Sequence, residues 1–471
     1  MKQINGLLFL LIFWTGVLQA QNTCREELDR LISSDPLLKI SEVGIVVHDL
    51  TTGKELYSYQ ADKLYRPASI EKVVTAVTAL KLLGEDYQFQ TRLSYEGVIE
   101  KGVLQGNLCV TGGFDPEFME LDMDFLVRAV KNAGIETVSG QLVGDVTLMD
   151  YLYWGAGWSW DDTPESFQPY LSPLMLNRGC VDIKVTPATK GQAGNVKITP
   201  ESDYYQVDNR SVSLHPDAGR LKITRDWLTN GNTIKISGCV SSARGRTLNL
   251  YDSKRFFMET FRYKLEKEGI SVAKDSISFR GVTAQAHALY SCRRPLDIVM
   301  KRALKESDNL SAEALFRQLG RAGGKDTLHV SFETCQKVVG DFMQHSLGYD
   351  PKNYQIVDGS GVSLYNYVSP RLILAYLNYA YRHPALFRIF YDCLPVAGVD
   401  GTLRGRMRKG KAFRNVRAKT GTVTGICSLA GYLTSVNGHK ISFVIINQNV
   451  LKARPARMFQ DKVCELLVNM N

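Results

Sequence analysis

The 471-residue sequence has no C-x-x-C pair, no H-E-x-x-H, and no metal-like spacing among its seven histidines. A zinc site of the usual structural or catalytic kind is therefore not expected, and no cofactor or metal is called for. Low-complexity tracts and obvious repeats are missing too. With 44% hydrophobic and 22% charged residues, disorder and coiled coil are set aside. The nine cysteines are odd in number and widely spaced, so they reveal no disulfide framework. Cys427 and Cys464 lie inside apolar runs and read as small buried hydrophobes.

Long apolar runs are also scarce. After the first twenty residues nothing approaches the roughly 20 apolar residues that a membrane span needs. Residues 1–20 read as a secretory signal: Lys2 gives a positive start, Leu7 to Leu18 is almost wholly apolar, and Ala20 offers a small residue for cleavage. Leu18 departs from the small residue expected two positions before the cut, and a retained N-terminal anchor is the lesser reading. Cys24 follows Gln21-Asn22-Thr23, which lacks the small residue expected before a lipidated cysteine. The mature protein is expected to be exported and soluble, and peripheral membrane contact is compatible with that.

Acid is absent from residues 404–419, "RGRMRKGKAFRNVRAK", which hold eight of the basic residues behind a net charge of +9. A solvated loop is one reading and a positive field for an anionic substrate the other. Nucleic acid is not an expected partner of an exported chain.

What the sequence does contain is organised in three stretches, in keeping with roughly 150 residues per domain. "ISEVGIVVHDL" and "ELYSYQ" read as strands joined at Thr51–Lys54, followed by a helix on which Ile70, Val73, Val74, Val77 and Leu80 share one face. Residues 88–287 alternate and turn at glycines, with few long helical periods; they are expected to form a β-rich insertion of two small domains. Helical periodicity returns in "PLDIVMKRALKESDNLSAEALFRQLGR", "SFETCQKVVGDFMQHSL" and "SPRLILAYLNYAYRH". Three strands follow, "NVRAKTGTV", "CSLAGYLT" and "KISFVIINQ", the last two joined at Asn437-Gly438, and "ARMFQDKVCELLVNM" closes as a helix. Two strands at one end and three at the other predict an α+β fold: a five-stranded antiparallel sheet with helices on its faces. Residues 21–87 and 288–471 would then form one discontinuous domain.

Several motifs fail. "GRMRKGKA" has Ala412 where a phosphate loop needs Ser or Thr, and "DGSG" at 358–361 lacks the outer glycine of a hydrolase elbow. A Ser-His-Asp triad stays open, since its members need not be neighbours in sequence. Ser-x-x-Lys occurs twice, at Ser69/Lys72 and Ser271/Lys274. The second lies in an alternating segment, where the two side chains point to opposite faces. The first opens a helix, where a spacing of three puts both on one face and the macrodipole favours developing negative charge on the serine. An N-terminal capping serine with a surface lysine is the ordinary alternative. "SDN", Ser307 to Asn309, sits between two helices, and "KTGT", Lys419 to Thr422, lies on a strand. Together the three motifs form the set of class A β-lactamases and penicillin-binding proteins.

In this order the chain resembles the type-4, low-molecular-mass penicillin-binding proteins, the D-alanyl-D-alanine carboxypeptidases/endopeptidases of peptidase family S13. The resemblance covers nearly the whole mature chain, including "LCVTGGFDPEF", "GWSWDD", "LSPLMLNRG" and "LPVAGVDGTLRGRM". Phe114 departs from a further glycine common in the family. The resemblance implies the serine β-lactamase/transpeptidase-like fold, a periplasmic location, peptidoglycan peptides as substrate and β-lactam antibiotics as covalent inhibitors. It implies Ser69 as nucleophile, Lys72 as its base, Ser307 as proton relay, Asn309 as orienting group, and Lys419, Thr420, Gly421 and Thr422 as the substrate-binding strand. Asp400, Gly401, Thr402 and Arg404 would shape the loop below the site. A β-lactamase-like hydrolase is the rival reading, although no E-x-x-x-N segment follows the first motif. A non-catalytic wall-binding protein is the other.

Overall fold

The computed structural model describes residues 25–273, 275–323 and 329–470. The expected signal at 1–20, Cys24 and Lys274 lie outside them. The chain divides into two compact units, one made of the chain up to Glu85, Met300–Leu319 and Cys335 onward, the other of Asp86–Val299 and Gly320–Thr334.

The first unit is built on one sheet. Its strands are β1 (Glu42–Asp49), β2 (Lys54–Tyr59), β3 (Arg417–Val423), β4 (Gly425–Thr434) and β5 (Lys440–Val450), in the order β3-β4-β5-β1-β2. Every pair is antiparallel, with Ile45 opposite Ile445 and Lys419 opposite Ala430. This is the predicted five-stranded sheet. Its middle strands carry continuous apolar runs because both faces are covered: Val43 to Val47 are all buried, as are Ile441 to Ile446.

One face packs Val43, Ile45, Val47, Leu429, Leu433, Phe443 and Ile445 against Phe459, Val463 and Leu467 of the C-terminal helix Ala453–Val468, with Leu28 and Ile32 from residues 25–34. On the other face lies the helix Pro370–Tyr381: Ser442 Oγ donates to Asn378 Oδ1 at 2.6 Å and Tyr432 Oη to the Leu377 carbonyl at 2.8 Å. Gly44 is what lets this helix approach, since a Cβ there would stand 2.7 Å from both Pro370 Cγ and Tyr65 Cε2. Gly44→Val is expected to destabilise the protein by about 1–3 kcal/mol through overpacking, read as a lower urea midpoint at unchanged slope.

Helix α1, Glu71–Leu83, differs from the expected one-faced helix. Glu71 through Leu80 are all buried, so its polar side is enclosed as well and must find partners inside. Thr75 Oγ1 donates to the Gly359 carbonyl at 2.7 Å. A buried polar stripe on a central helix is a place for chemistry, not for solvation.

The second unit contains strands Gln88–Glu100, Val103–Thr111 and His287–Pro295 in a mixed seven-stranded sheet, and two three-stranded sheets. One buried cluster links them, from Leu93 and Leu108 through Ile183 to Ile236. It also holds two helices that strand-like alternation did not predict, Glu120–Asn132 and Ser253–Lys267. The signal was present in the first, where Met123, Leu126, Val127 and Val130 follow helical spacing and are buried. Among the described residues no helix is long and apolar enough to cross a membrane, and the eight described cysteines form no disulfide. Cys427 and Cys464 are buried as expected, and burial raises both thiol pKa values.

Candidate active site

Ser69 sits in the one-turn helix Ala68–Ile70 that runs straight into α1. Its entry is bent: Ala68 has φ +49°, a left-handed conformation that a non-glycine residue holds at a cost of about 1–3 kcal/mol. The surroundings impose it. Ser428 Oγ of β4 donates to the Pro67 carbonyl at 2.6 Å, and the Arg66 N–H donates to Gln448 Oε1 of β5 at 3.1 Å. Gly361, itself at φ +80°, lies so close that a Cβ would stand 2.0 Å from the Ala68 carbonyl oxygen.

One turn along α1, Lys72 Nζ lies 2.9 Å from Ser69 Oγ, 2.8 Å from Asn309 Oδ1 and 2.7 Å from the Ser360 carbonyl oxygen. Asn309 opens the helix Asn309–Gly323. Ser307, two residues earlier, is held at φ +60°, and its Oγ accepts from Lys419 Nζ at 2.7 Å. Lys419 Nζ also donates to the Thr420 carbonyl at 2.6 Å. Thr420 Oγ1 donates to Thr402 Oγ1 at 2.7 Å. Gly421 allows β3 to press on the serine, because a Cβ there would stand 2.9 Å from Ser69 N and 2.1 Å from Ser428 Oγ. Thr422 is exposed beside Arg457, whose Nη2 donates to its Oγ1 at 3.4 Å. The structure therefore brings all three sequence motifs together in one unit.

Both lysines are buried. Burial pushes Lys72 down to about 8, while Asp358, Asp308, Glu313 and Glu71 favour its charged form and hold it from falling further. Lys419 is pushed well below its ordinary value, first by burial and then by repulsion from Lys72. On the far side of Lys72, burial raises Glu313 to about 8 and carries Glu71 well above the carboxylate range. The Glu71 carboxyl is fully buried, and among the described residues neither of its oxygens has a hydrogen-bond partner. Burial without a partner disfavours the charged form of such a carboxyl.

The loop below the strand is anchored by Lys305 Nζ, 2.5 Å from Asp400 Oδ2, while Asp400 Oδ1 accepts from Val396 N at 2.8 Å. This joins the loop to the helix that delivers Ser307. The basic tract is not one solvated face: Arg406 pairs with Asp461 at 2.7 Å and Arg417 with Asp392 at 3.0 Å, while Arg404, Arg408 and Lys409 stay exposed. The rival Ser271 lies exposed in the two-residue strand Ser271–Val272 of the other unit. Sequence reasoning missed Asp358, Ser360 and Glu313, which act on Lys72, and Thr75, which holds the Gly359 carbonyl. The "DGSG" glycines were the available signal, because Gly359 and Gly361 both stand where a side chain would strike backbone.

This sheet, with the Ser-Lys pair at the foot of its central helix, defines a serine peptidase of the penicillin-binding-protein type. Comparison with known proteins makes the assignment finer. The model of the D-Ala-D-Ala carboxypeptidase 3 (S13) family matches residues 24–470, and the chain belongs to that family. It is 31% identical over 444 residues to a D-alanyl-D-alanine carboxypeptidase of Actinomadura sp. (strain R39), covering 90% of this chain and 80% of that one. It is 28% identical over 411 residues to D-alanyl-D-alanine carboxypeptidase DacB of Haemophilus influenzae, covering 86% and 85%. The crystal structure of penicillin binding protein 4 (dacB) from Haemophilus influenzae superposes with a TM-score of 0.82 at 25% identity, over 94% of this chain and 99% of that one. A second structure of that protein, at TM-score 0.74 and 24% identity over 93% and 98%, is complexed with a β-lactam.

Proposed function

We propose that the chain removes the terminal D-alanine from peptidoglycan stem peptides, and also cuts D-alanine cross-links, through an acyl-enzyme on Ser69. The observation that carries this reading is the 2.9 Å contact between Lys72 Nζ and Ser69 Oγ at the buried foot of α1. Neutral Lys72 takes the Ser69 proton as Oγ bonds to the carbonyl carbon between the two D-alanines. Backbone N–H groups of Ser69 and Thr422 receive the oxyanion, a donor pair of which each member is worth about 2.7–4 kcal/mol. Ser307 passes a proton to the departing amine as the C–N bond breaks, and Asn309 orients Lys72 and the substrate amide. Lys419, Thr420, Gly421 and Thr422 hold the terminal carboxylate. That carboxylate supplies the counter-charge that buried Lys419 lacks among its described neighbours. Water then releases the shortened peptide and restores Ser69.

β-Lactams acylate the same serine. The chain acts after export, in the periplasm, with residues 1–20 removed. Digestion of purified wall fragments, with the products weighed, tests this reading. Loss of one D-alanine mass from monomeric peptides is the carboxypeptidase outcome, and splitting of dimers into monomers is the endopeptidase one. Products of neither kind would remove the proposal.

Residues 88–287 serve in this reading as an accessory region, and 21–87 with 288–471 as the catalytic domain. Replacing residues 90–286 by a short linker is expected to leave a soluble protein that still takes up labelled penicillin. A variant that fails to fold would show that the two parts share one core.

A further inference from the structure

The Asp-Gly-Ser-Gly segment at 358–361 does not fit a hydrolase elbow, yet it encloses the reacting pair from behind. Of the three groups around Lys72 Nζ, Asn309 Oδ1 at 2.8 Å and the Ser360 carbonyl at 2.7 Å only accept hydrogen bonds. A neutral lysine amine has two N–H bonds and one lone pair. When both N–H bonds are committed to those two oxygens, the remaining direction, toward Ser69 Oγ at 2.9 Å, is the lone pair. The hydroxyl then has one way to pair, by donating its proton. Without the Ser360 carbonyl, an N–H is free to turn onto Ser69 Oγ and block the transfer.

The carbonyl is held by Asp358, which is fully buried. Its carboxylate accepts from Gly361 N at 2.8 Å, Ser363 N at 2.8 Å, Asn366 Nδ2 at 2.7 Å and Ser360 Oγ at 3.3 Å. The same loop is tied to Glu313 through Gly359 N at 3.1 Å and to Thr75 through the Gly359 carbonyl at 2.7 Å. A Cβ at Gly359 would stand 2.8 Å from the Ala312 carbonyl oxygen, so the loop is wedged with little freedom to shift.

We infer that Asp358 is a positioning residue for acyl transfer, fixing the Ser360 carbonyl so that the lone pair of Lys72 faces Ser69. The inference rests on the Ser69 and Lys72 chemistry proposed above. A purely electrostatic role would read out differently. Lys72 is faced by Glu71 on its own helix, Asp308 just before the helix Asn309–Gly323 and Glu313 in its first turns, Asp358 on the loop and Lys419 on β3. Negative charge on Asp358 favours the ammonium form, so its removal moves the rising limb of the acylation profile to lower pH. Loss of positioning instead lowers the plateau, where Lys72 is already neutral.

The test is acylation of the full chain by labelled benzylpenicillin across pH, resolved into a saturating rate constant and an apparent dissociation constant. Asp358→Asn keeps the side-chain size but turns one acceptor oxygen into an NH2 that opposes a backbone N–H. The plateau rate constant is expected to fall about 100-fold, with the dissociation constant little changed and the limb moved to lower pH. Thr75→Val, which loses only the bond to the Gly359 carbonyl, is expected to lower the plateau about tenfold, and it decides the matter if Asp358→Asn does not fold. A plateau left at the wild-type value in the folded variant overturns the inference, whether or not the limb moves. Wild type that takes no label, or Ser69→Ala that still takes it, overturns the nucleophile assignment and the inference with it, a result distinguishable from failure of the positioning role alone.

Discussion

Ser69→Ala is expected to leave a folded chain that takes up no labelled penicillin, where the wild type takes one equivalent on the peptide containing "PASIEK". The expectation follows from contact geometry. Ser69 Oγ has a lysine amine at 2.9 Å whose affinity for protons burial has lowered to a pKa of about 8. Removing a nucleophile from such a unit costs about 10⁶-fold in turnover. Folding should survive, because the change deletes one oxygen and one buried hydrogen bond, worth about 1 kcal/mol. Intact-mass and peptide-mass measurements check both points. An adduct that persists, or that maps to Ser271, would refute the assignment.

Lys72 and Lys419 should fail in different ways. Lys72→Arg is expected to abolish acylation, since arginine cannot give up its proton at working pH. Lys419→Arg keeps the charge but not the compact ammonium beside Ser307 and the Thr420 carbonyl, so slow acylation with weaker binding is expected. Lys419→Ala should lose more. The pH dependence carries the sign. Lys72 acts as a base only when neutral, so acylation rises with pH through a limb near 8, with about a tenth of the chains competent at pH 7. Repulsion from Lys72 is one cause of the lowered Lys419, and a charge held at Lys419 acts on Lys72 in return. Lys419→Ala therefore moves the limb to higher pH, the direction opposite to that expected for Asp358→Asn. Near-normal acylation by Lys72→Arg together with its loss in Lys419→Arg would mean the two roles are reversed.

Much of the site was legible because its parts are locally encoded. A spacing of three at a helix start puts Ser69 and Lys72 on one face whatever the rest of the chain does. The strand bearing Lys419 and the inter-helix position of Ser307 are likewise readable from apolar periodicity and turn residues. The five-stranded sheet was legible for a similar reason, since β1 and β5 are rich in β-branched residues and β4 is largely apolar, each bounded by turns. The helices Glu120–Asn132 and Ser253–Lys267 were missed where glycine-marked alternation on either side outweighed a helical period of three or four turns.

By itself, then, the sequence determined which residues are candidates to bear the chemistry, in what order, and on what kind of element, because capping, spacing and alternation act over a few residues. Only the tertiary structure decided what surrounds them. That Lys72 is enclosed by Asn309, Ser360, Asp358 and Glu313 depends on segments 237 and 288 residues away, and no local pattern reports a contact across that distance. The depressed lysines, the raised pKa of Glu71 and the left-handed Ala68 and Ser307 are likewise products of burial and close approach. They exist because a closely packed interior withholds water from charged groups and over-determines the backbone there, and neither condition is a property of any short stretch of chain.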